Sequence, residues 1–243
     1  MISVCMASHN GEKFISKQIR SILEQLDNED ELIISDDGST DNTLSIINGF
    51  KDDRIKLFHF QQPKIKEKDS LSFRYATKNF ENSLKNANGD IIFLADQDDV
   101  WKNNKKKLMV EKLQQSELVM CNFSVIDEND KIINEKYYCK SPISKNLFMK
   151  IIESKYLGCC LAFQRKLLEK ALPFPDNLIA HDFWLGCLAN SFTFIQEPLH
   201  YYRRSNDNVS TSAGKSSNSL IYKIKYRVEF LLNLGKRLTK KEI

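Results

Sequence analysis

An apolar run, Ile91-Ile92-Phe93-Leu94-Ala95, empties into Asp96-Gln97-Asp98-Asp99. The β-branched and aromatic residues predict a buried strand, and three carboxylates then crowd its end. Their repulsion is costly unless a cation or a set of hydrogen-bond donors offsets it. Carboxylate oxygens are ligands of hard divalent ions, and Mg²⁺ in such a site is often shared with substrate phosphates. A plain acidic start to the helix after Trp101 is the other reading.

Two further segments repeat the design. Glu31-Leu32-Ile33-Ile34-Ser35 runs into Asp36-Asp37-Gly38-Ser39-Thr40-Asp41, and Ile2 to Ala7 runs into Ser8-His9-Asn10-Gly11. A helix with Phe14, Ile15, Ile19, Ile22, Leu23 and Leu26 on one face follows the latter. Strands that end in polar loops and lead into helices predict an α/β fold with a mostly parallel, Rossmann-like sheet and helices on both faces. The loops then share one sheet edge, where such folds bind ligands. Ile55 to Phe60 reads as a third strand of this half. No Gly-x-Gly-x-x-Gly and no phosphate-cradling Gly-Lys-Ser occurs, which argues against dinucleotide and P-loop enzymes.

After Trp101 the alternation stops. The pattern predicts a helix over 105–113, a strand over 118–126 in a hairpin with Ile132 and Ile133, and a short helix over 147–152. A buried strand over 157–163, a helical turn over 183–188 and a strand over 192–195 follow. Asn206 to Asn218 is rich in Ser and Asn and reads as a loop before a last helix over 220–238.

Ala7-Ser8-His9-Asn10-Gly11, Ser35 to Asp41 and Ala95-Asp96-Gln97-Asp98-Asp99-Val100-Trp101 together resemble the motifs of family 2 glycosyltransferases. The resemblance continues through Gly158-Cys159-Cys160, His181-Asp182-Phe183-Trp184 and Tyr202-Arg203, and is most similar to the rhamnosyltransferase-like branch. It implies a GT-A fold, an inverting transfer, Mn²⁺ or Mg²⁺ as cofactor, and a nucleoside-diphosphate sugar such as a UDP-hexose or dTDP-rhamnose as donor. The implied acceptor is a growing, lipid-linked glycan of a bacterial surface polysaccharide.

The resemblance also implies roles. Asp37 would hold the base and ribose, beside Ala7, Ser8 and Asn10. Asp98 would bind the metal, with Asp96 near metal and ribose and Gln97 beside them, while Asp99 would cap a helix or orient Asp98. Asp182 would be the general base; His181, standing where the family has an acidic residue, would tune Asp182, contact the acceptor or be the base itself. Gly158, Cys159 and Trp184 would lie near sugar or acceptor. Ser205 stands where the family often carries a His, so Arg203 and Arg204 are candidates for the diphosphate. The expected organisation is a transferase domain over 1–212, with a nucleotide half over 1–101 and an acceptor half over 102–212, and a basic helical tail over 213–243.

Composition adds limits. No apolar run is long enough to span a bilayer, and no signal-peptide pattern precedes Ile2, so a cytoplasmic protein is expected. The six cysteines lack zinc spacing and read as buried reduced thiols. From Lys215 onward eight Lys or Arg stand against two Glu, a balance of +6 within a net charge of +4. That tail is expected to meet an anionic membrane surface, pack on the body or form a dimer contact, so monomer and homodimer both stay open. No DNA-binding motif or stacking platform points to nucleic acid. The rival readings are a nucleotidyltransferase and a non-catalytic sugar-nucleotide-binding protein.

Overall fold

The computed structural model of this protein describes residues 1–62, 71–143, 155–204 and 220–239. The expected helix over 147–152, the loop over 206–218 and Ser205 lie outside them. The described residues form a nine-stranded mixed sheet. Its first half holds β1 (Ile2–Ser8), β2 (Glu31–Asp36), β3 (Ile55–His59) and β4 (Ile91–Asp96), parallel in the order β3-β2-β1-β4. The connecting helices are α1 (Ile15–Leu23), α2 (Thr43–Gly49) and α3 (Leu71–Lys85).

The register sets the functional edge. Ala7 pairs with both Ser35 and Asp96, so β1, β2 and β4 end level and release their polar loops side by side. The strands are apolar on both faces: Val4, Cys5, Met6, Ile33, Ile34, Phe93 and Leu94 are fully buried. That is what a parallel strand covered on both sides requires.

Beyond β4 the sheet turns mixed. β5 (Val100–Trp101), α4 (Lys105–Leu113), β6 (Leu118–Ile126), β7 (Ile132–Asn134), β8 (Leu161–Gln164), α5 (Arg165–Ala171), α6 (His181–Leu188) and β9 (Phe192–Arg203) follow. β8 lies antiparallel between β4 and β6, β9 runs parallel to β6, and β5 closes the far edge against β9.

Two expectations change, and two elements were not foreseen. The segment 157–163 is not one strand: Gly158–Cys160 forms a 3₁₀ turn and only Leu161–Gln164 is extended. β9 runs past Ile195 to Arg203, because a register shift lets Asn122 face Pro198, which has no N–H to donate. β5 is two residues long and α5 follows β8 at once, so neither left a period to read.

The last helix, α7 (Leu220–Thr239), packs on the body through one face. Phe230 stacks on Phe183 at 4.3 Å and meets Trp184 edge-on at 5.7 Å, and Arg237 donates to the carbonyls of Lys170 and Leu172. Among the described residues no helix is long and apolar enough to cross a membrane. Five cysteines are buried free thiols; Cys139 is exposed, against expectation.

Candidate active site

A cleft of ≈ 1290 Å³ runs from the ends of β1, β2 and β4 to the start of α6 and the chain beside β6. Ala7, Ser8, Asn10, Asp37, Asp96, Gln97, Asp98, Gly158, His181 and Asp182 all line it. Residues up to 175 positions apart in sequence thus face one space.

The first loop is braced by the second. Ser8 Oγ donates to Asp36 at 2.9 Å, and Asn10, at φ 48°, accepts the Thr40 N–H at 2.8 Å. Asp36 also accepts the Ser39 N–H, so it serves the turn while Asp37 faces the cleft. Asp37 accepts a hydrogen bond from Gln62, and burial pushes its carboxyl above the usual range.

Gln97 does a bracing job. Its amide accepts the His9 N–H and donates to the His9 carbonyl, both at 2.9 Å. Those bonds hold the amide against the first loop while the residue still lines the cleft. A Cβ at Gly11 would stand 2.3 Å from Gln97 Oε1, so only glycine admits this clamp.

Asp96 and Asp98 line the cleft, while Asp99 is buried behind it. Asp99 is not a helix cap. It pairs with His200 Nε2 at 2.8 Å and accepts the Arg203 N–H at 2.8 Å, tying the acidic turn to β9. Burial first, then repulsion from neighbouring carboxylates, raises the pKa of Asp96 and Asp98; burial dominates for Asp99. Crowded hard-oxygen donors of this kind fit a hard divalent cation, which would relieve that repulsion.

Arg203 is a strut rather than a phosphate ligand. It is 1% exposed, and its guanidinium donates to the carbonyls of Asp98 (2.7 Å) and Asp127 (2.8 Å) and to Asp130 (2.7 Å). It also lies over the Phe14 ring at 4.5 Å. Arg204 is exposed and does not line the cleft.

Cys159 and Trp184 are likewise corrected. Cys159 is fully buried behind the acidic turn, where its thiol lies within 4.8 Å of carboxylate oxygens of Asp96 and Asp99. Trp184 is fully buried in the core and donates Nε1–H to the Ala171 carbonyl at 3.1 Å. It sits on the face of α6 away from the cleft because α7 packs there. Gly158 does line the cleft: a Cβ on it would stand 3.2 Å from His181 Nε2.

His181 and Asp182 open α6 and differ in environment. His181 stacks on Phe80 at 4.3 Å, with Nδ1 3.5 Å from Thr77 Oγ1; among the described residues Nε2 has no hydrogen-bond partner. Burial lowers its pKa to about 3, so the ring is neutral at pH 7. Asp182 accepts the Phe183 N–H at 2.7 Å, yet burial raises its pKa to about 6. It is therefore ionised at neutral pH while holding its proton more readily than an exposed carboxylate.

Sequence reasoning missed the support behind the acidic turn. Lys105 is fully buried; Nζ donates to the Cys159 carbonyl at 2.7 Å, meets His200 Nδ1 at 3.1 Å and lies 4.6 Å from the Trp101 ring. Nothing in Lys105-Lys106-Lys107 marks the first lysine as the buried one. Lys105→Met is expected to destabilise the protein by about 3–5 kcal/mol in chemical denaturation, because it removes one partner from a buried charged network. A loss under about 1 kcal/mol would mean that the network is dispensable.

The family model for glycosyl transferase family 2 matches residues 3–172. The chain is 29% identical over 177 residues to the UDP-Glc:alpha-D-GlcNAc-diphosphoundecaprenol beta-1,3-glucosyltransferase WfgD of Escherichia coli, covering 72% of this chain and 64% of that one. It is 29% identical over 217 residues to the dTDP-rhamnosyl transferase RfbG of Shigella flexneri, covering 84% and 72%. Among solved structures, S. aureus TarS 1–349 in complex with UDP superposes with a TM-score of 0.62 at 18% identity, over 95% of this chain and 70% of that one. The mannosyltransferase PcManGT of Pyrobaculum calidifontis, in complex with GDP-Man and Mn²⁺, gives 0.57 at 18% identity, over 99% and 65%.

Proposed function

Because the chain belongs to glycosyl transferase family 2, we propose that it transfers a sugar, with inversion, from a nucleoside-diphosphate sugar to a hydroxyl of a lipid-linked surface glycan. One observation carries the reading: Asp37, the Asp96–Asp98 pair and Asp182 come from three distant segments yet line one cleft. The donor class, a UDP-hexose or dTDP-rhamnose, is the one named for the two relatives above.

Each residue then has a task. Asp37 and the loop after β1 hold the base and ribose. Asp98, with Asp96, would hold Mn²⁺ or Mg²⁺. Such an ion supplies Lewis-acid stabilisation of charge on a leaving diphosphate. Asp182 takes the proton of the acceptor hydroxyl as that oxygen attacks the anomeric carbon. Its raised pKa suits a base that must hold a proton briefly and then lose it. His181, neutral and with a far lower pKa, is the weaker base and serves to shape the wall beside Gly158.

The test is a screen of UDP-, GDP- and dTDP-sugars with Mn²⁺, read as released nucleotide. Release of nucleoside diphosphate from one donor class supports transfer. Formation of nucleoside triphosphate and sugar 1-phosphate when pyrophosphate is added would favour a nucleotidyltransferase, although the loop Ser8–Glu12 lacks the Gly-rich basic character such enzymes use. Nucleotide-sugar binding without any turnover would favour the non-catalytic reading.

A lipid-linked acceptor calls for a membrane-facing surface, and α7 supplies a candidate at the inner face of the cell membrane. Opposite the Phe230 and Leu234 contacts, Val228, Leu231, Leu232 and Leu238 are 50%, 45%, 60% and 53% exposed. Lys225 and Lys236 are exposed beside them. An apolar stripe with basic flanks suits an anionic lipid surface. Leu231→Glu/Leu232→Glu is expected to abolish co-sedimentation with phosphatidylglycerol vesicles at low salt while nucleotide binding with Mn²⁺ is kept. A dimer in light scattering that the same variant dissociates would assign the stripe to a second copy instead.

A further inference from the structure

We propose that Tyr137 and Tyr138 form an aromatic platform that binds the acceptor sugar. This rests on the transferase reading only for the word acceptor. The two rings line the same cleft as Asp182, together with Phe123 and Tyr202 of β6 and β9. The nucleotide-facing loops of β1 and β2 contribute none of these four residues.

The rings form a connected wall. Tyr137 stacks on Phe123 at 4.6 Å, Tyr138 meets Tyr137 edge-on at 4.9 Å, and Tyr202 leans on Phe123 at 5.6 Å. Phe123 and Tyr202 are buried and act as backing, whereas Tyr137 and Tyr138 are only half-buried. A sugar ring carries apolar C–H faces and a polar hydroxyl rim. Flat aromatic surface with phenol groups at its margin matches both.

The backbone is arranged to hold this wall still. β7 pairs with β6 only at Val125 and Ile126. Past that ladder, Tyr137 N–H donates to the Phe123 carbonyl at 2.9 Å. Asn122, a fully buried amide inside β6, then binds Tyr138 twice: it accepts the N–H at 3.0 Å and donates to the carbonyl at 2.7 Å. A buried amide in a strand is costly unless its hydrogen bonds are met, and here they are met by the chain that carries the platform. Burial pushes the Tyr138 phenol up to about 12, so it stays a donor across the physiological range. Rigid placement of aromatic rings at a cleft is what keeps the ordering cost of binding low.

Saturation-transfer NMR on the full chain with methyl glycosides of N-acetylglucosamine, glucose and rhamnose tests this without nucleotide. At least one glycoside should receive saturation through its ring C–H protons. Tyr137→Leu and Tyr138→Leu, which keep apolar bulk but lose the flat face, should weaken that binding roughly tenfold. Tyr137→Phe and Tyr138→Phe should stay within about threefold. No saturation of any glycoside by the intact chain overturns the proposal, as does binding by the Leu variants equal to wild type. Loss of UDP–Mn²⁺ binding in the Leu variants would also overturn it, since the pair would then support the whole cleft. Glycoside binding by a chain that binds no nucleotide would leave the platform standing and sink the transferase reading.

Discussion

Asp98→Ala is expected to abolish Mn²⁺-dependent binding of nucleoside diphosphate and leave the protein at least as stable as wild type. The reason lies in how the turn is held. Its position depends on groups other than the Asp98 side chain: the Asp98 carbonyl accepts from Arg203, and Asp99 ties to His200 and the Arg203 N–H. The side chain faces the cleft and adds charge to a crowded carboxylate cluster. Removing it relieves repulsion and removes a hard-oxygen ligand. Calorimetry with UDP or dTDP, with and without Mn²⁺, reads the binding, and thermal unfolding reads the stability. Metal-dependent affinity unchanged from wild type would take Asp98 out of the metal site.

Asp182→Asn should bind donor nearly as wild type and turn over roughly 10²–10⁴-fold more slowly, the usual cost of losing a general base. The amide keeps the size of the carboxylate and can still accept the Phe183 N–H, so α6 should start unchanged. The pH dependence separates the two candidates at this position. Asp182 acts in its ionised form and its pKa is raised to about 6, so wild-type kcat/KM should fall as pH drops through about 6 and level off above about 7. A limb governed by His181 would lie near pH 3, where burial has put its pKa. If Asp182→Asn keeps near wild-type turnover while His181→Ala is inactive, the base is His181.

The polar ends of β1, β2 and β4 were legible because each follows an apolar run whose burial is local information. Parallel strands need continuous apolar residues, and the first polar residue after such a run marks the sheet edge. The motifs at Asp37, Asp96, Asp98 and Asp182 came from the resemblance to family 2 glycosyltransferases, and the family model matches residues 3–172, which hold the first three of these positions. Which residues of those motifs face the cleft was a different matter. Asp99, Arg203, Cys159 and Trp184 all stand within or beside the motifs, yet they brace, back or pack, while Gln97 both braces the first loop and lines the cleft. Their orientation depends on neighbours contributed by other segments: His9 for Gln97, His200 for Asp99, Asp130 for Arg203, the Asp96 and Asp99 carboxylates beside Cys159, and Phe230 for Trp184. The sequence alone determined where charge and turns had to gather. Only the tertiary structure decided which of those groups turn outward, because burying a polar side chain is favourable only where a distant segment supplies its hydrogen bond.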